Sequence, residues 1–127
     1  MHATYRETRK WGVVEYWPAM TAIGLLCVIV AEKRMSYFVS GLTNDNPEIR
    51  APVYKQYHHV QYNDSLPASA TASVTFSPSA DTFRYVIIQQ QFSTADAICI
   101  REVQVFLRGS LPFFVSWNFL KNINDGL

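Results

Sequence analysis

An all-β fold, an antiparallel β-sandwich or jelly-roll, is the class this sequence predicts, and three observations point to it. The 127 residues include eight Phe, seven Tyr and three Trp, with many Val and Ile besides, a composition suited to sheet. The apolar stretches are short and separated by turn-rich segments. No long stretch carries the apolar spacing of an amphipathic helix. The length suits one domain with a real core, and 49% hydrophobic against 17% charged residues argues against wholesale disorder.

Residues 1–10 read as a flexible N-terminal arm whose "RETRK" cluster is solvated. "KWGVVEYWP" predicts a strand over residues 11–16, stopped near Pro18. "AIGLLCVIV", residues 22–30, fits a buried strand or a short helix, and its Val and Ile content tilts it to strand. "MSYFVSGL", residues 35–42, is strand-like, and "TNDNPE" is a turn built on Asn and Asp side chains and Pro47. The aromatic run "VYKQYHHVQY" suggests the next strand, and "NDSLPASA" a loop. In "TASVTFS", Ala72, Val74 and Phe76 alternate with Thr71, Ser73, Thr75 and Ser77, the pattern of a half-buried strand. "TFRYVIIQQQF" has apolar residues at both parities and predicts a strand covered on both faces. The total is six or seven strands.

"AICIREVQVF" breaks parity. Ile98 and Ile100 share one face of a plain strand, and Val103 and Val105 the other. A β-bulge near Arg101 and Glu102 would realign them; a strand packed on both faces fits equally. Either way Cys99 reads as an inert strand thiol.

Eleven basic and ten acidic side chains leave a formal charge of +1, which disfavours a nucleic-acid partner. "AMTAIGLLCVIVA" is shorter than the ~20 residues of a bilayer-crossing helix, so no integral membrane span is expected, and no ordinary secretory signal is visible. Cys27 and Cys99 are too few for a disulfide scaffold, and two buried thiols are preferred to a bridge. A Cys99–His59 catalytic pair would have to converge from distant segments. His58 and His59, adjacent in a strand, should point to opposite faces. Asn44, Asp45, Asn46 and Glu48 carry oxygen donors without the twelve-residue calcium-loop pattern, so an ordinary turn is the preferred reading. Phosphate cradles, metal motifs and serine elbows are not seen. An enzyme is not expected, nor is a metal or cofactor. The positive alternative is recognition, with Trp11, Trp17, Tyr54, Tyr57 and His58 as aromatic contributors.

Taken in order, "KWGVVEYWPAMTAIGLLCVIV", "EKRMSYFVSGLTNDNP" and "DTFRYVIIQQQFSTADAICIREVQVF" resemble the middle and end of a discoidin-like, or coagulation-factor type C, domain, above all its fucolectin branch. The closing pattern Cys-x-x-Glu-Val-x-Val-aromatic matches Cys99, Glu102, Val103, Val105 and Phe106, with one extra residue between Cys99 and Glu102 relative to the tighter fucolectin pattern. The resemblance implies a discoidin-like jelly-roll over residues 11–108, incomplete or diverged in its N-terminal part, followed by an apolar C-terminal extension over residues 109–127. It implies structural roles for Trp11, Cys27, Cys99, Glu102, Val103 and Val105. It also implies a non-enzymatic extracellular or cell-surface recognition or adhesion module, binding glycan, phospholipid or protein through its loops, with oligomerisation left open. Arg34 matches the second arginine of the fucose-binding segment, but the Gly-Asp-Cys-Cys core and the first arginine are absent. Fucose binding therefore does not carry over, and because the N-terminal part that often supplies calcium-ligating loops is missing or altered, calcium is left possible but unsupported by the sequence. The candidate ligand-binding residues are Arg34, His58, Tyr57 and Trp17. A structural or degenerate sandwich with no ligand site is the alternative, and a hydrolase ranks far below both. Phe113, Phe114, Val115, Trp117, Phe119 and Leu120 are costly to expose, and packing back on the domain is preferred to binding a partner, forming a short amphipathic helix or remaining an unstructured tail.

Overall fold

Alternation in the sequence becomes alternation in burial. In the computed structural model, which describes residues 2–21, 25–76, 81–90, 97–108 and 114–120, Leu25, Cys27, Ile29 and Ala31 of one strand are buried while the residues between them are partly covered. The strands are β1 (His2–Glu7), β2 (Trp11–Thr21), β3 (Leu25–Ala31), β4 (Phe38–Thr43), β5 (His58–Asn63), β6 (Thr71–Phe76), β7 (Thr82–Gln90), β8 (Ile100–Arg108) and β9 (Phe114–Leu120). They form two sheets, a five-stranded one of order β1-β2-β7-β4-β5 and a four-stranded one of order β6-β3-β8-β9. Every pairing between strands is antiparallel. Leu25, Ile29, Phe38, Leu42, Phe76, Ile88 and Ile100 belong to one buried cluster drawn from both sheets, as in a β-sandwich.

Strand β7 is covered on both faces. Val86 and Ile88 enter the main core, while Tyr85 and Ile87 join Val13 in a second cluster, against which Trp11 and Tyr57 pack. In β8 a bulge resolves the parity break. Glu102 pairs with Val30 and Ile100 with Ala31, leaving Arg101 as the extra residue. Ile98, Ile100, Val103 and Val105 consequently all reach the core, and Arg101 is exposed. Cys99 lies just before the strand, its backbone carbonyl accepting from the Glu32 amide at 3.0 Å. Both cysteines are free thiols, and burial pushes the Cys27 thiol up to about 12.

Three expectations are corrected. Residues 2–7 are not a loose arm: β1 pairs with β2 from His2 opposite Trp17 to Glu7 opposite Gly12. Tyr5 crowds against Gly12, where a Cβ would overlap its ring, and its hydroxyl donates to Glu7 Oε1 at 2.8 Å. The same carboxylate oxygen accepts from the Ile100 backbone N–H at 3.1 Å, joining the two sheets. Burial and the adjacent Glu7 carboxylate hold the Tyr5 hydroxyl well above its usual range. Arg6 meets Glu15 and Glu48 rather than bulk solvent alone. Second, Pro18 does not end β2, which runs to Thr21 with a register irregularity between Glu15 and Met20. Third, part of the C-terminal extension is a strand: β9 pairs with β8 from Glu102 opposite Leu120 to Arg108 opposite Phe114. The count among the described residues is thus nine strands. Residues 109–113 and 121–127 of that extension lie outside the described residues. Among the described residues no helix is long and apolar enough to cross a membrane.

Candidate functional site

The connection from β4 to β5, residues 44–57, is far longer than the roughly 2–5 residues of an ordinary hairpin loop. Its Asn and Asp side chains fold it locally. The Asp45 amide donates to Thr43 Oγ1 at 3.0 Å, and the Glu48 amide donates to Asn46 Oδ1 at 2.9 Å. The Ile49 and Arg50 amides donate to the Asn46 carbonyl at 3.1 and 3.2 Å. Asn44 Nδ2 donates to the Thr82 carbonyl at 2.8 Å and fastens the loop to β7.

The loop then doubles back across the outer face of the five-stranded sheet. Gly41 makes room for it, since a Cβ there would overlap the Tyr57 ring. Tyr57 donates its hydroxyl to Gln89 Oε1 at 3.1 Å, and Gln89 Nε2 donates to the Pro52 carbonyl at 3.0 Å. Burial pushes the Tyr57 hydroxyl up to about 12, which keeps it a neutral donor. The loop thereby encloses a cleft of about 140 Å³. Pro47, Ala51, Pro52, Val53 and the Tyr57 ring supply its apolar surface above the buried Ile87, and Thr43, Asp45, Arg50 and Gln56 its polar side chains. Among the described residues, neither the Arg50 guanidinium nor the Asp45 carboxylate forms an ion pair.

The candidate ligand residues do not assemble into one site. Tyr57 lines the cleft, and His58 follows it at the start of β5. The directions of β3 and β4 place Arg34, exposed in the β3–β4 connection, at the opposite end of the sandwich from His58. Trp17 pairs with His2, and its side chain lies outside the described residues. The two histidines share one neighbour rather than pointing apart. Ser40 pairs with Gln61 and Leu42 with His58, so β5 bulges opposite Gly41, with His59 at a φ of 55°. Both rings consequently meet Phe83, at centroid distances of 5.3 and 5.7 Å.

Cys27, Val103 and Val105 are core residues, Trp11 packs on the outer cluster, and Glu102 is half-buried opposite Val30. Cys99 Sγ lies 3.9 Å from Glu32 Oε2, at the Arg34 end of the sandwich and so away from His59. Of the four oxygen-bearing side chains in "NDNPE", those of Asn44, Asn46 and Glu48 bond within the protein. No three His, Cys, Asp or Glu side chains converge among the described residues. Sequence reasoning missed Arg50 and Gln56. The usable signal was the length of the loop, which "TNDNPE" disguised as a simple turn.

Comparison of the chain with protein-family models, with curated proteins and with solved structures finds no match.

Proposed function

We propose that this chain is a non-catalytic recognition module of the discoidin-like, jelly-roll kind, and that the cleft beneath residues 44–57 takes a polyhydroxylated ligand the size of one sugar residue. The observation that carries the reading is the pairing of an apolar floor with unpaired polar groups of both senses. Val53 and the Tyr57 ring offer a surface for the C–H face of a sugar ring. Arg50 and Gln56 can donate to hydroxyl oxygens, and Asp45 can accept from hydroxyl protons. A ligand rich in hydroxyls uses donors and acceptors together and needs no net charge.

The placement of the thiols supports the non-catalytic reading. Nucleophilic chemistry needs a thiolate beside a base. Cys99 and His59 lie at opposite ends of the sandwich, and the Cys27 thiol is held neutral by burial. An extracellular or cell-surface setting accompanies the discoidin-like resemblance and is part of the proposal.

The test is a titration of the isotope-labelled protein with neutral monosaccharides, and separately with phosphatidylcholine and phosphatidylserine vesicles, followed by amide chemical shifts. The expected result is saturable movement of resonances from residues 43–57 with at least one sugar, lost in Arg50→Ala. Movement with vesicles alone, or sugar-induced shifts that persist in Arg50→Ala, would overturn the assignment.

A further inference from the structure

The outer face that carries the cleft holds a second depression further along β4. It has a volume of about 130 Å³ and is lined by Tyr37, Phe38, Val39, Tyr62, Asn63 and Asp64. Two of these stand out by exposure: Tyr37 is 57% and Tyr62 70% accessible, unusual for rings of this size with a core beside them. Neither hydroxyl has a hydrogen-bond partner among the described residues. Asp64 is exposed and its carboxylate forms no ion pair there. The depression therefore shares ring surface and a free carboxylate with the cleft and adds two free hydroxyls.

One cation bridges the two depressions. Lys55, held at a φ of 68°, places its ammonium 5.4 Å from the Tyr54 ring centre and 5.2 Å from that of Tyr62. Val53 and Gln56 on either side of it in the chain line the cleft, while Tyr62 lines the second depression, so Lys55 bridges the segment that walls the one to a ring that walls the other. Tyr62 pairs with Val39, and Thr43 lies four residues beyond Val39 on the same strand and at the same parity. At the rise of an extended strand, the path from Phe38 to Thr43 spans about 17 Å.

We infer that the cleft and the Tyr37–Tyr62 depression are two subsites of one track, and that its ligand is a neutral linear oligosaccharide rather than a single sugar. This rests on the reading of the cleft given above. Two depressions of nearly equal volume on one sheet face suit a ligand made of repeating units. The charges along the track are Arg50 and Lys55 against Asp45 and Asp64, which balance and select no charged polymer. A nucleic acid, which would also stack on tyrosines, needs a basic groove that is not present. A protein partner would desolvate these groups and would favour a contiguous apolar centre over two separate rings with a carboxylate beside them.

The experiment compares calorimetric affinities of the full chain for linear tetrasaccharides of glucose, mannose, galactose and N-acetylglucosamine with those for the four monosaccharides. The expected result is a tetrasaccharide that binds about tenfold or more tighter than its own monosaccharide. Tyr62→Ala and, independently, Tyr37→Ala should erase that advantage and leave the monosaccharide affinity unchanged, while Tyr62→Phe should keep most of it. Both positions are exposed, and retained monosaccharide binding certifies that each variant is folded. Equal affinity for tetrasaccharide and monosaccharide, or an advantage that survives both alanine variants, overturns the track and leaves the cleft assignment standing. Failure of every sugar to bind removes the cleft assignment itself, and the track with it.

Discussion

Placing a methyl group on Gly41 is the sharpest probe of how the 44–57 loop is held. The backbone at Gly41 accepts alanine, but the new Cβ would occupy space now filled by the Tyr57 ring. If the ring stays, the strand must shift around it, an overpacking cost of about 1–3 kcal/mol. If the ring leaves, the bonds from Tyr57 to Gln89 and from Gln89 to Pro52 go with it, at about 1 kcal/mol each. Both routes converge on a loss of about 1–3 kcal/mol for Gly41→Ala. In a Tyr57→Ala background the obstruction is gone, and adding Gly41→Ala should change stability by no more than ~0.5 kcal/mol. Urea unfolding of the wild type, the two single variants and the double variant, followed by tryptophan fluorescence, yields the coupling directly. Effects that add within ~0.5 kcal/mol would refute the claim that Tyr57 packs on Gly41 and that this contact seats the loop.

Deleting Arg101 should remove the β8 bulge yet leave Ile98, Ile100, Val103 and Val105 on one face of a regular strand, so cooperative unfolding should persist, and its loss would refute Arg101 as the extra residue. Arg101→Ala, which loses only an exposed 3.0 Å bond to Ser69, should stay within ~0.5 kcal/mol of wild type by the same melt. Phe76→Ala should cost about 3–5 kcal/mol, since the ring is fully buried between the sheets, and a loss below ~1 kcal/mol would place it elsewhere. Cys27 makes stability fall in alkali. An unfolded thiol ionises near 9.0 whereas the folded one holds its proton to about 12, so unfolding is favoured increasingly through that window. Cys27→Ala should therefore flatten the pH dependence there by about 1.4 kcal/mol per unit, and identical slopes in the two proteins would contradict a buried thiol.

Legibility in the sequence followed the strength of the local signal. Strand β6 announced itself because one face meets solvent and the other the core, so Ala72, Val74 and Phe76 stand apart from their polar neighbours. In β8 the four aliphatic residues disclosed the parity break, but only pairing with β3 shows the extra residue to be Arg101. Strand β1 was illegible for the opposite reason. Of its residues, Tyr5 and Glu7 go inward, and a glutamate reads as surface until the Tyr5 hydroxyl and the Ile100 amide are found beside it. The cleft was hidden more deeply. Nothing in "RAPVYKQY" says that its second tyrosine will rest on a glycine sixteen positions earlier, since that contact belongs to the tertiary fold. The histidines misled because a left-handed residue at His59 breaks the alternation from which their faces were inferred.

The position of Glu7 has a mechanical consequence. A tether pulling on the N-terminus would load β1 so that its pairing with β2 opens one residue at a time, from His2 towards Glu7. Such unzipping ordinarily meets little resistance. Here the last residue in line bonds to Tyr5 and, across the sandwich, to the backbone of Ile100. The strand would peel easily at first and then arrest at a stitch between the two sheets, so that tension reaches the core only after that stitch gives way.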